Sequence, residues 1–114
     1  MLMNRTAVYC RIDGPKSEIT QDLLDSQKAR LLAYVQGKDM ELSGIYEDAG
    51  YSGNTLERPG LQRLMRDAES GGIDAVLVVN RSRLFRGPMP QKLKALNLHI
   101  QSIIEHESDI PQGP

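Results

Sequence analysis

Residues 73–79 read Ile-Asp-Ala-Val-Leu-Val-Val, an almost unbroken apolar run set between Gly71-Gly72 and Asn80. A strand with one wet face alternates polar and apolar residues, whereas one apolar at nearly every position is covered on both faces. Central strands of parallel sheets meet that condition. Strands must then alternate with crossover helices, and the remaining sequence is spaced accordingly.

Residues 6–12, rich in β-branched and aromatic side chains and running into Asp13-Gly14-Pro15, predict a first strand ended by a turn. Over residues 20–36 the apolar positions Leu23, Leu24, Leu31, Tyr34 and Val35 recur at helical spacing, with Gly37 just beyond. Gln27 falls within that stripe and is either a satisfied amide or a group aimed at a site. Residues 40–47 predict a second strand and residues 48–57 a loop. Pro59 opens a helix whose apolar face is Leu61, Leu64, Met65 and Ala68. Pro88 and Pro90 leave room for a short helix over residues 91–97, followed by a last strand over 100–105. The fold class is therefore α/β, with a mainly parallel central sheet of about four strands flanked by helices. One domain over residues 1–114 is expected, ending after the fourth strand, with residues 110–114 a frayed tail.

The lone Cys10 excludes an internal disulfide framework and a cysteine-based zinc cage. No stretch approaches the ~20 apolar residues of a membrane span, and residues 1–5 lack a signal-peptide core. A cytoplasmic protein with no membrane partner is expected. The chain carries 14 Lys and Arg against 15 Asp and Glu, but unevenly: residues 81–94 contain Arg81, Arg83, Arg86, Lys92 and Lys94 and no acid. That run is either a nucleic-acid contact or a solvated helix face.

In open parallel sheets, ligands bind beyond the carboxyl ends of the strands. Three segments meet there: residues 11–14, 50–58 and 80–86. Arg11, Arg58, Arg83 and Arg86 all fall on this edge. Clustered guanidiniums repel one another unless an anion lies among them, and their planar forks match phosphate oxygens. The alternative is separate ion pairs with Asp13, Asp48 or Glu57, which would carry no functional information. Ser52, in a glycine-flanked loop on the same edge, offers a hydroxyl.

Four blocks carry a resemblance: Tyr9-Cys10-Arg11-Ile12, Tyr46-Glu47-Asp48-Ala49-Gly50-Tyr51-Ser52-Gly53, Leu56-Glu57-Arg58-Pro59-Gly60-Leu61-Gln62-Arg63-Leu64, and Val76-Leu77-Val78-Val79 with Arg83-Leu84-Phe85-Arg86. Together, over residues 6–88, they resemble the catalytic domain of the resolvase/invertase family of serine recombinases, and most closely its large serine integrases and transposon recombinases. The resemblance implies a resolvase-like fold, DNA as partner, and a homo-oligomer built through a long helix beyond the catalytic domain, an assembly expected to be weakened here because the 114 residues end before that helix. It implies attack of a serine hydroxyl on a backbone phosphate, with arginines in place of a metal and no cofactor. By position Arg11, Ser52, Arg58, Arg83 and Arg86 match the family's catalytic set, while Arg81, Lys92 and Lys94 are candidate DNA contacts. His99 and His106 lie away from this edge.

The resemblance breaks at three positions that touch the chemistry. Asp13 stands where the family has its nucleophilic serine, Ser82 stands where it has an aspartate, and Phe85 replaces a small residue between the two arginines. An aspartate among arginines is expected to be ionised, to remove the hydroxyl and to compete with a DNA phosphate for the same charges. A reciprocal exchange, with Ser82 as nucleophile and Asp13 as its base, requires the two to be hydrogen-bonded. The sequence thus points to a recombinase catalytic domain impaired in cleavage, with a non-catalytic DNA-associating or partner-binding remnant as the alternative. A receiver-like domain phosphorylated on Asp13 fits poorly, because the third strand end offers arginines where that architecture needs acids.

Overall fold

The computed structural model describes residues 5–104. The elements in chain order are β1 (Arg5–Ile12), α1 (Glu18–Gly37), β2 (Glu41–Ala49), α2 (Pro59–Glu69), β3 (Ala75–Val78), α3 (Arg81–Leu84), α4 (Gln91–Lys94) and β4 (His99–Ser102). The four strands form one all-parallel sheet in the order β2-β1-β3-β4. The expected α/β class and four-stranded parallel sheet are as the sequence predicts, and several boundaries move.

The apolar run of residues 73–79 contributes β3 at its centre, with all four strand residues buried. Its side chains serve both layers: Val76 and Val78 join one core cluster with Tyr9, Leu61 and Leu64, while Leu77 and Val79 join the other with Val8, Leu24 and Leu31. Strand β1 divides in the same way, Ala7 and Tyr9 facing the α2 side and Val8, Cys10 and Ile12 the α1 side. This period of two places Arg11 on the α2 side, one step beyond Tyr9.

Helix α1 begins at Glu18 rather than Thr20. Ser17 forms a capping box in which its hydroxyl accepts from Thr20 N at 3.2 Å and the Thr20 hydroxyl accepts from Ser17 N at 2.8 Å. Leu24, Leu31 and Val35 face the sheet, whereas Leu23 is 52% exposed because it lies about a quarter-turn off that stripe. Asp48 and Ala49, expected in a loop, complete β2 by pairing with Arg11 and Ile12. The short helix α3 was not foreseen from the sequence. The helix expected over residues 91–97 is a single turn, Gln91–Lys94, and Asn97 follows it in the left-handed region at φ 54°. Strand β4 runs over His99–Ser102, so Ile103 and Ile104 leave the sheet early. Glu105, His106 and the expected tail at 110–114 lie outside the described residues.

Helix α2 lacks a local cap: Arg58 precedes Pro59 and makes no capping hydrogen bond with its side chain. Asp48 supplies the cap from the neighbouring strand end, its carboxylate accepting from Gly60 N at 2.7 Å and Leu61 N at 2.9 Å. A Cβ on Gly60 would lie 2.4 Å from the Glu47 carbonyl oxygen and 2.9 Å from Asp48 Oδ2, so only glycine allows this approach.

Two outcomes follow. Gly60→Ala gains helix propensity of about 1 kcal/mol, yet the forced separation of α2 from β2 should cost more, giving a net loss of ~1–3 kcal/mol. Urea unfolding should show a lower midpoint at unchanged slope. Burial, reinforced by Glu47, pushes the Cys10 thiol up to about 12, so a thiol reagent at pH 8 should label it only after denaturation.

Candidate functional site

In the strand order β2-β1-β3-β4, successive connections leave β1 in opposite directions, which puts the topological switch point at the carboxyl ends of β1 and β3. The three segments expected there do meet. Gly50 N donates to Ile12 O at 2.8 Å, Arg86 N donates to Gly53 O at 2.7 Å, and Arg11 reaches both loops.

Arg11 and Arg58 are fully buried. Arg11 donates Nε to Arg83 O at 3.0 Å, Nη2 to Ser82 O at 2.8 Å, and Nη1 to Tyr51 O at 3.0 Å and to Asp13 Oδ1. Arg58 donates to Thr55 O, Arg83 O, Leu84 O and the Tyr9 hydroxyl. Two guanidiniums from different parts of the chain therefore grip the same backbone turn, residues 82–84. A buried carbonyl left without a donor costs ~1–3 kcal/mol, and a charge-assisted bond is stronger than a neutral one. Burial lowers the Arg11 pKa against the opposing pull of Asp13, yet a guanidinium stays charged throughout.

Tyr9 links Arg58 to the cap of α2: its hydroxyl accepts from Arg58 Nη1 at 3.0 Å and donates to Asp48 Oδ2 at 2.7 Å. Burial, aided by Asp48, raises the Tyr9 pKa and keeps the phenol neutral. Gln27 resolves its two readings together. Its amide accepts from Arg11 N at 3.3 Å and donates to Arg11 O at 3.0 Å, standing in for a strand neighbour where β1 outruns β3. Gly53 is held against Arg11, since a Cβ there would lie 2.6 Å from Nη2.

The outer part of the site is different. Asp13 bridges two arginines, one carboxylate oxygen on Arg11 Nη1 and the other on Arg86 Nη2 at 3.0 Å. Partial desolvation works against ionisation of Asp13, but the charges of Arg11 and Arg86 outweigh it and hold the carboxyl below its ordinary range. A depressed pKa stabilises the fold above the ordinary carboxylate range, and this contribution fades as pH falls through the depressed value. Arg83 donates to Arg11 O at 3.3 Å, and Arg86 is half-exposed. The four arginines expected on this edge thus separate into two buried clamps, Arg11 and Arg58, and two outer residues, Arg83 and Arg86. Among the described residues, only Arg11 and Arg86 of the four meet one of the carboxylates proposed, and both meet the same one.

Ser52 lies exposed beside the edge, its hydroxyl 2.5 Å from Asn54 Oδ1. Ser82 contributes its carbonyl to Arg11, and among the described residues no hydrogen bond joins its hydroxyl to Asp13. Phe85 packs against the α2-side core with its ring 5.9 Å from Arg58 Cζ, and lines a groove of about 1070 Å³ with Leu56, Met65 and Leu96. It fills that side of the sheet rather than the space around Asp13. Arg81, Lys92 and Lys94 are exposed but not contiguous. Lys92 lines the large groove together with Glu57 and Glu69, whereas Arg81 and Lys94 line a separate cavity of about 520 Å³ with His99. Among the described residues no cluster of metal-ligating side chains occurs.

Sequence reasoning missed Tyr9 as a member of the network and offered Asp48 only as an ion-pair partner for an arginine, not as the cap of α2. One signal was present: a helix opening with Arg-Pro-Gly has no residue to cap its own N-terminus, so an acceptor must come from elsewhere.

Strand-end loops gathered at the switch point of an open parallel sheet define an α/β domain that builds its site from residues distant in sequence. The family described as "Resolvase, N terminal domain" matches residues 6–109, and the chain belongs to that family. It is 31% identical over 112 residues to a Bacillus subtilis (strain 168) protein named "Putative DNA recombinase", covering 94% of this chain and 22% of that protein's length. Its fold is similar to that of the N-terminal catalytic domain of TP901-1 integrase, with 32% identity, 89% of this chain and 78% of the other covered, and a TM-score of 0.72. It is also similar to a resolvase-family site-specific recombinase from Streptococcus pneumoniae, with 29% identity, 90% and 73% covered, and a TM-score of 0.72.

Replacing a clamp and replacing an outer arginine should have opposite signatures. Arg58→Ala strips donors from three backbone carbonyls and should cost about 3 kcal/mol or more. Arg86→Ala, at a half-exposed position, should stay within about 0.5 kcal/mol. Thermal and denaturant unfolding of the two variants checks the contrast.

Proposed function

We propose that this chain is a serine-recombinase catalytic domain of the site-specific DNA recombination and strand-exchange class, cytoplasmic and acting on DNA in a homo-oligomer. We further propose that it is impaired in cleavage. Family membership supports the first part. The observation that carries the second is Asp13 at the nucleophile position, bound to Arg11 and Arg86.

The expected chemistry is metal-independent phosphoryl transfer without a cofactor. A serine hydroxyl forms a bond to the scissile phosphorus and gives its proton to a general base or water. The bond from phosphorus to the deoxyribose oxygen breaks, and that oxygen leaves as a protonated hydroxyl while arginines meet the charge on the phosphoryl oxygens. Arg83 and Arg86 are the outward-facing candidates to meet that charge, with Ser52 beside them, and Arg11 and Arg58 hold the turn that presents them. An ionised carboxylate paired with two guanidiniums is stabilised by their charge, which lowers its nucleophilicity, and it offers no hydroxyl for the family's attack. The reciprocal exchange with Ser82 as nucleophile finds no support, because among the described residues no hydrogen bond joins the Ser82 hydroxyl to Asp13, whose oxygens pair with Arg11 and Arg86.

A second reading, a non-catalytic DNA-associating or partner-binding remnant, is favoured by the exposure of Arg81, Lys92 and Lys94 on a segment without acids. It shares the electrostatic prediction and differs in needing no strand exchange.

Incubation with supercoiled plasmid should yield no covalent protein–DNA adduct on a denaturing gel, and appearance of one would falsify the impairment. Asp13→Ser alone should fall short of full recombination, since Ser82 remains in place of the family's aspartate. DNA affinity should fall steeply with salt, with a log–log slope of about −0.9 per phosphate contacted and little sequence preference. Fluorescence anisotropy across a salt series measures it, and tight sequence-selective binding at physiological salt would contradict the reading.

A further inference from the structure

We propose that Arg11 and Arg86 frame a masked oxyanion site whose built-in occupant is the Asp13 carboxylate, and that a phosphate or phosphodiester enters by displacing it. The inference rests on the reading of this edge as the one that meets DNA phosphate, and adds how access to it is controlled.

Arg11 supplies the first argument. Three of its four acceptors are main-chain carbonyls, of Tyr51, Ser82 and Arg83, which cannot leave without unpicking the loops that carry them. The fourth, Asp13, is the only side chain and the most exposed of the set, at 44% against complete burial of Arg11 itself. Among the described residues, Asp13 is therefore the acceptor of Arg11 that can leave without moving a stretch of backbone.

The shape of the contact supplies the second. Asp13 places one oxygen on each arginine, with Oδ2 3.0 Å from Arg86 Nη2. Two non-bridging oxygens of a phosphodiester present the same pair of acceptors to the same pair of donors. The carboxylate is thus a local substitute for the ligand, at an effective concentration fixed by the covalent chain.

The third argument concerns removal. Residues 13–17, which link β1 to α1, are all exposed, and Gly14, at φ 90°, has open space around the position a Cβ would take. A mask on such a turn can swing aside without disturbing either core layer. Departure of Asp13 leaves Arg11, Arg83 and Arg86 together with no counter-charge from it, which favours entry of an external anion.

Inorganic phosphate titrated into Asp13→Asn, followed by calorimetry and by the side-chain nitrogen resonances of Arg86, tests this directly. The control is Glu57→Gln, which removes the same charge from an exposed loop position on the same edge. Asp13→Asn should bind phosphate about tenfold or more tightly than both the parent and the control, and adding Arg86→Ala should abolish the gain. Asp13→Ser should behave likewise. Equal affinity of Asp13→Asn and Glu57→Gln overturns the mask. Duplex DNA titrated into the same proteins separates the two ideas. Salt-dependent binding that Asp13→Asn leaves no tighter than the control retires the mask and keeps the DNA reading. Phosphate binding gained by Asp13→Asn, with no DNA binding by any variant, retires the DNA reading and keeps the mask.

Discussion

A guanidinium cannot shed its charge at any pH a protein tolerates, so burying one obliges the fold to surround it with acceptors. Arg11 and Arg58 impose that obligation twice, in adjacent positions, and the carboxyl edge of the sheet is organised to meet it. The carbonyls of residues 82–84 turn inward to the two arginines. That turning holds α3 as a single turn and directs the following residues back toward the loop after β2, where Arg86 N meets Gly53 O. Gly53 and Gly60 follow from the same demand, because a side chain at either would collide with the groups that satisfy or cap this region.

The edge thus has a rigid interior and a negotiable exterior. Inside, Arg58, Tyr9 and Asp48 form a continuous hydrogen-bonded path from the α3 turn to the N-terminus of α2. Each link is buried, so each loses more when broken than a surface pair would. Outside, Arg86 and Asp13 are exposed to about half their side-chain area, where water and salt compete with the pairing. Positions that hold the architecture and positions that meet a ligand are therefore neighbours in space with different energetics.

The periodicities made the layered α/β plan legible because they are local consequences of burial: the unbroken apolar run of β3, the helical stripe of Leu24, Leu31 and Val35, and the proline at the start of α2. Boundaries failed where a tertiary partner overrode local signals. Asp48 belongs to β2 because β1 continues alongside it through Ile12, and α4 stops after one turn although residues 91–97 carry no breaker. Leu23 shares the apolarity and approximate spacing of the core stripe, but its angular position on α1 leaves it in solvent.

The sequence by itself determined that four strand-forming segments alternate with helices, that one of those strands is central, and that arginines gather at the ends of the strands. These are properties of spacing and composition along the chain. Tertiary structure alone decided which arginines face inward. Arg11, Arg58, Arg83 and Arg86 are chemically identical, and their roles diverge through what distant segments bring to them: carbonyls from residues 51, 55 and 82–84 to the first two, open solvent and Asp13 to the last. Burial and hydrogen-bond satisfaction are set by contacts between residues up to 73 positions apart, and no local pattern encodes them.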